Sequence, residues 1–205
     1  MVDTSKFQEL ASQIEQKLIE LDNTREEIIK LSRKVVRNAG QSIENFHNKN
    51  IGQSKKKLQL ASDSLLEVNN YLKKDSSLHQ IGFVGVAMQE YAEAKLLYEL
   101  ITNGKLLSSK EIGISEQYYL LGIADLVGEL RRHILEKLVE GKTDEAKNFY
   151  EIMKNLYGSF LQIDYGKNLI PEFRRKKDTA RVLVERTLSD IFVAVQGKKL
   201  EEKLK

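Results

Sequence analysis

The sequence predicts an all-α protein, a single-domain bundle of about seven helices. Three observations carry that expectation. Apolar residues recur at three- and four-residue spacing almost from end to end, and no stretch alternates as a strand does. The 205 residues include a single proline, the residue that most disrupts helix interiors. Leu, Ile, Lys and Glu are abundant, and charged residues reach 31%, a composition that favours helix. A hydrophobic content of 41% over this length is enough for one core, so residues 1–205 read as one helical domain.

The elements follow in order. Phe7, Leu10, Ile14, Leu18 and Leu21 begin a stripe that Ile28, Val35, Ala39, Ile43 and Phe46 continue. One long helix over about residues 5–48 is the simplest reading. Thr24 and Glu27 form a capping-box pattern that would permit a break. A turn at Asn50–Gln53, around Gly52, leads to a second helix from about Ser54 to Lys74. The third runs from about Leu78 to Thr102 and stops at Asn103-Gly104. The fourth, entered at Ser115-Glu116-Gln117, ends at Gly141. Thr143-Asp144 opens a fifth that reaches about Tyr157, and a short sixth covers Ser159–Tyr165. Pro171 suits the first turn of the last helix, which stops near Gln196-Gly197, with a frayed tail over 197–205.

Several function classes drop out. With no cysteine there is no disulfide and no cysteine-ligated zinc. No apolar run approaches the roughly 18 residues of a membrane span, and MVDTSKFQEL lacks a signal-peptide core. The expectation is a soluble, cytoplasmic protein with no membrane partner. There is no Ser-His-Asp arrangement and no phosphate-cradling glycine loop. His47, His79 and His133 lack ligand spacing and read as surface or capping residues. The net charge of +3 does not by itself imply nucleic acid.

Two acidic pairs carry the chemistry. In VAMQEYAEAKLL, Glu90 and Glu93 lie about 60° apart on a helical wheel, in the arc of Phe83, Val86, Leu97, Leu100 and Ile101. Unpaired buried carboxylates cost several kcal/mol, so three readings stay open. The acids form buried salt bridges to arginine; or the helix is apolar all round and they face a cavity or subunit interface; or they are half of a divalent-cation site. In YLLGIADLVGELRRHI, Asp125 and Glu129 are about 40° apart. Their ordinary reading is a solvated face paired with Arg132. Gly122 and Gly128 in the same helix hint at a close neighbour. Together the pairs would offer oxygen ligands for Mg²⁺ or Mn²⁺, whose commonest use is phosphate-ester chemistry.

Basic residues form two faces. Lys30, Arg33, Lys34 and Arg37 share a stripe, with Glu26 and Glu27 one turn before them. Arg174, Lys177 and Arg181 share a face of the last helix, flanked by Arg175 and Lys176. Either set is a salt-bridged, solvated surface or a phosphate-contacting one. Arg131 and Arg132 adjoin the second acidic pair.

VAMQEYAEA and YYLLGIADLVGELRR resemble the translin family, most closely its catalytic branch, translin-associated factor X, in a compact archaeal form. IIKLSRKVVRNAGQSI and FRRKKDTARVLVERTLSDI resemble its first and last helices, so the likeness spans about Phe7 to Ala194. The resemblance implies a seven-helix fold, an octamer, here of identical subunits, and binding of RNA and single-stranded DNA. It further implies a Mg²⁺-dependent endoribonuclease; single-stranded RNA is the expected substrate, and since phosphate contacts carry no sequence information, cleavage is expected to be broadly non-specific. On that basis Glu90, Glu93, Asp125 and Glu129 are the metal-holding, catalytic set. Lys30, Arg33, Lys34, Arg37, Arg132, Arg174, Lys177 and Arg181 are the nucleic-acid contacts. The rival expectations are a non-catalytic nucleic-acid-binding protein and a module that binds protein partners only.

Overall fold

The structure, a computed structural model, describes residues 4–74, 78, 82–163, 165 and 169–204. Among them are seven helices and no strand: α1 (Thr4–His47), α2 (Ile51–Lys74), α3 (Gly82–Asn103), α4 (Ser109–Ile112), α5 (Glu116–Val139), α6 (Thr143–Leu161) and α7 (Pro171–Leu204). No helix of the described residues is long and apolar enough to cross a membrane.

The second half of α1 buries Ile28, Leu31, Val35 and Ala39 against α2 and α3. On the other side of the bundle, α5 packs on α3, α6 and α7, so α3 and α5 form its centre. The first half of α1 extends past the core, with Phe7, Leu10, Ile14 and Leu18 exposed.

Most expected elements form, and the departures have local causes. Thr24 does not start a new helix: its hydroxyl donates to the Glu20 carbonyl one turn back, and α1 runs through. The turn after α1 comes earlier than expected, at Asn48–Asn50. Lys49 takes the left-handed conformation with φ 62°, and Gly52 lies inside α2. Residues 79–81, given to the third helix, and His79 with them lie outside the described residues. The separate sixth helix is not formed. Gly158 stays within α6, which carries Phe160 onto Phe173, ring centroids 5.5 Å apart, and ends at Leu161. Helix α7 runs past the expected stop near Gln196-Gly197: residues 197–204 continue it as exposed helix, as strong helix formers such as Lys, Leu and Glu allow. The short α4 was not expected, although its signal is present. The Ser108 hydroxyl accepts from the Glu111 amide and the Glu111 carboxylate accepts from the Ser108 amide, a complete capping box.

Two glycines bring the central helices together. The Tyr118 ring of α5 fills the space where a Cβ on Gly85 of α3 would stand. A Cβ on Gly122 would lie 2.6 Å from the Ala92 Cβ and 2.8 Å from the Gln89 carbonyl oxygen. The α3 backbone occupies that space, so no side-chain rotation relieves the clash. Gly128 differs: its Cβ would meet only a Leu183 methyl at 3.9 Å. Gly122→Ala should therefore destabilise the fold by about 1–3 kcal/mol through overpacking. Gly128→Ala should be neutral, or stabilising by up to about 1 kcal/mol through helix propensity. Urea unfolding of the two variants checks this; equal midpoints would refute the close-approach argument.

Candidate functional site

At the Gly122 contact the two acidic pairs face each other. Glu90 and Glu93 come from α3, Asp125 and Glu129 from α5. Burial raises the Glu93 carboxyl to about 9, with the charges of Asp125, Glu90 and Glu129 adding to it and Lys176 opposing. Burial also raises Glu90, helped by Asp125 and Glu129 and again opposed by Lys176. The charges of both α5 acids thus bear on both α3 acids.

The surroundings decide among the open readings of Glu90 and Glu93. Neither acid has a cationic side chain within salt-bridge distance among the described residues, so the buried-arginine reading fails. The arc assigned to them is not uniformly buried. Phe83 and Val86 are exposed, while Val84, Ala87, Met88, Tyr91, Ala92 and Ala94 are buried. Helix α3 is thus apolar nearly all round, with the acids on the side that meets α5.

The pair on α5 is held by groups that the sequence reading did not assign. Gln89 Nε2 donates to Asp125 Oδ2 at 2.7 Å. Lys176 Nζ, from α7, donates to Asp125 Oδ1 in a short ion pair, with both side chains largely shielded from solvent. His47 Nε2 lies 2.6 Å from Glu129 Oε2 and His47 Nδ1 lies 2.9 Å from Glu136 Oε1. The expected Arg132 pairing goes to Glu136 instead, at 3.5 Å. His47 is therefore no surface or capping residue: only 1% of its side chain is exposed. His133 is buried too, and both its ring nitrogens lack hydrogen-bond partners. Burial lowers its imidazole to about 4, aided by Lys137 and His47.

The donor chemistry fits a hard divalent cation, because oxygen ligands crowd together with little compensating charge. Among the described residues, however, no three acidic or histidine side chains are gathered closely enough to share an ion. Lys176 and His47 hold the α5 acids instead.

The basic residues divide. Lys30 pairs with Glu27 at 3.1 Å, as the bland reading of its stripe expected. Arg33 stacks over the Phe83 ring, 5.3 Å from its centroid. Lys34 and Arg37 are exposed and make no salt bridge among the described residues. Arg131 ties α5 to α7 through Thr187 Oγ1 at 2.9 Å and Asp190 Oδ2 at 2.8 Å. Arg174 and Arg181 lie exposed on α7 and Lys177 is half-buried. Lys176, about 160° around the helix from Arg174, points the other way, to the acids. A cavity of about 630 Å³ beside His47 is lined by Lys49, Arg131, Arg132, Leu135 and Val139.

The bundle sets acids on its two central helices with cations around them, and comparison with known proteins identifies the class of helical protein to which it belongs. The translin family profile matches residues 9–187; the chain belongs to the translin family. An uncharacterized protein of Methanocaldococcus jannaschii is 35% identical over 189 residues, 90% of this chain and 82% of that protein. Two solved structures, AfC3PO and its complex with duplex RNA, are each 29% identical, cover 91% of this chain and 97% of theirs, and superpose with TM-scores of 0.82 and 0.80. Apo-NeC3PO, at 23% identity and a TM-score of 0.82, shares the fold over 90% of this chain and 96% of its own.

The raised Glu93 carboxyl has a consequence for stability. Between 4.5, its ordinary value, and about 9 the folded chain keeps a proton that the unfolded chain releases. That stabilisation is complete below 4.5 and is lost as pH rises through about 9. His133 acts oppositely but below its ordinary 6.5. In EDTA, stability should therefore fall from about pH 7 to 9, and Glu93→Gln should be more stable than the parent at the upper end, with a flatter profile. Thermal melts across that window test this, and parallel profiles would count against a buried neutral Glu93.

Proposed function

We propose that this chain is a divalent-cation-dependent endoribonuclease acting as an oligomer of identical subunits. One observation carries the reading: the acids of α3 and α5 line one seam, where burial and the α5 charges raise both α3 acids. Such crowding is typical of a site that receives a cation.

Glu90, Glu93, Asp125 and Glu129 would hold Mg²⁺ or Mn²⁺. The bound ion would supply Lewis-acid polarisation of the scissile phosphate and a water of lowered pKa. The chain's own part is to collect negative charge and temper it. Lys176 balances Asp125 and reduces the repulsion felt by Glu90 and Glu93. Gln89 fixes the second oxygen of Asp125. Lys30, Arg33, Lys34, Arg37 and Arg132, with Arg174, Lys177 and Arg181 on α7, would contact the RNA backbone. Phosphate contacts carry no base information, so cleavage should show little sequence preference.

The RNA assignment is supported by the similarity to AfC3PO, solved in complex with duplex RNA; single-stranded RNA is our preferred substrate and single-stranded DNA a further ligand. The oligomer is supported by exposed apolar residues on α1, Phe7, Leu10, Ile14 and Leu18, and on α7, Leu188, Phe192 and Val193. Patches of this kind mark association surfaces. An octamer is the expected assembly.

A non-catalytic RNA-binding protein is the second reading. The observation favouring it is that Lys176 and His47 already satisfy Asp125 and Glu129.

Labelled single-stranded and duplex RNA, incubated with Mg²⁺ or Mn²⁺, separates the two. Glu93→Ala should lose at least about 100-fold in cleavage, since removing a group that only supports a metal ligand already costs about 10–100-fold, while still shifting RNA on a gel. Binding by both proteins should weaken steeply with salt. Intact RNA with either metal, or undiminished cleavage by Glu93→Ala, sinks the nuclease assignment.

A further inference from the structure

The contact between α1 and α5 contains an arrangement that packing alone does not require. His47 stands in the last turn of α1 with its ring between two carboxylates two helical turns apart on α5. Each ring nitrogen thus lies within hydrogen-bond distance of a different carboxyl group, Nε2 of Glu129 and Nδ1 of Glu136. The ring is fixed on every side. Phe46 meets it edge-on, with centroids 5.7 Å apart. Lys49, two residues on, turns the chain at φ 62° and pairs with Glu140, a further turn along α5. One oxygen of Glu129 is thereby held from outside the acidic cluster, while the charge of Glu129 still reaches Glu90 and Glu93 and raises both.

We propose that His47 is a positioning residue: through its Nε2 it fixes the Glu129 carboxylate in the orientation that the divalent cation requires, with Glu136 holding the ring from the other side. The inference rests on the metal-dependent reading above. A carboxylate that ligates a cation and is free to rotate gives up part of its binding energy to ordering. A hydrogen bond to its other oxygen removes that cost, and losing such a supporting group lowers metal affinity by about 10–100-fold. The sequence offers no hint of it, because His47 and Glu129 are 82 positions apart.

The test compares the wild type, His47→Ala, His47→Gln and Glu93→Ala, each freed of metal with EDTA and dialysed. Mn²⁺ uptake is titrated by the electron paramagnetic resonance signal of the free ion, beside melting temperature and RNA affinity in EDTA. His47→Ala should bind Mn²⁺ about 10–100-fold more weakly. His47→Gln, whose one amide can serve only one of the two acids, should fall between it and the wild type. RNA affinity in EDTA should be unchanged in both. Wild-type Mn²⁺ affinity in the His47 variants, with only their melting temperatures lowered, would make His47 a packing residue and overturn the proposal. If His47→Ala fails to fold, the Mn²⁺ affinity of His47→Gln decides by the same criterion. A wild type that takes up no Mn²⁺, or a Glu93→Ala that takes it up normally, would instead remove the metal site itself, and the inference with it.

Discussion

Two glycines set the distance between α3 and α5, and that distance decides what four acids can do to one another. Gly122 admits Ala92 and the α3 backbone, and Gly85 admits the Tyr118 ring. Glu90 and Glu93 leave α3 at this seam, and Asp125 and Glu129 leave α5. With larger residues at the two glycines the helices would stand farther apart and water would screen the acids. Instead desolvation is the leading cause of the rise in Glu90 and Glu93. A helix-interior glycine costs about 1 kcal/mol relative to alanine; here that cost is exchanged for a half-buried acidic seam.

The seam is balanced from outside the two helices. Lys176 reaches Asp125 from α7, and His47 reaches Glu129 from the end of α1. Both α5 acids therefore have donors, whereas the α3 acids depend on being protonated or on meeting a cation. The asymmetry divides the cluster's work, with the α5 pair held in place and the α3 pair responsive. The basic residues outside belong to a different layer. Lys34, Arg37, Arg174 and Arg181 stay on the surface, where a polyanion would meet them first.

Much of this was legible in the sequence, and the limit has a physical reason. Helical periodicity reports which residues share a face, so the long helices and the two acid pairs were readable. The Gly122 hint also led to the right contact. Periodicity does not report what a face meets. Lys176 reads only as a flank of the basic face on the last helix, and the wheel does not say that its side of α7 borders the acids. Gln89 carries no charge and belongs to neither acidic pair, yet it is about 40° from Glu93 and reaches Asp125. His47 looked unremarkable because its partners are brought to it only by the fold. Phe83 and Val86 were counted with the interior on hydrophobicity alone and are exposed. The short α4 is the opposite case: its capping box is local, and Ser108 and Glu111 could have revealed it.

The order in which the chain is made bears on how it folds. Helices α1 to α5 are complete before residue 171, so the acids of both pairs exist before Lys176 does. A partial chain that brought α3 and α5 together would enclose the four acids without that ammonium, leaving Asp125 without its cation and pushing Glu90 and Glu93 further toward their neutral forms. The unbalanced charge of Asp125 should keep the central pair loose until the C-terminal helix arrives. The bundle is then expected to gain its final packing in one late, cooperative step rather than growing steadily from the N-terminus, with the docking of α7 as the event that locks the seam.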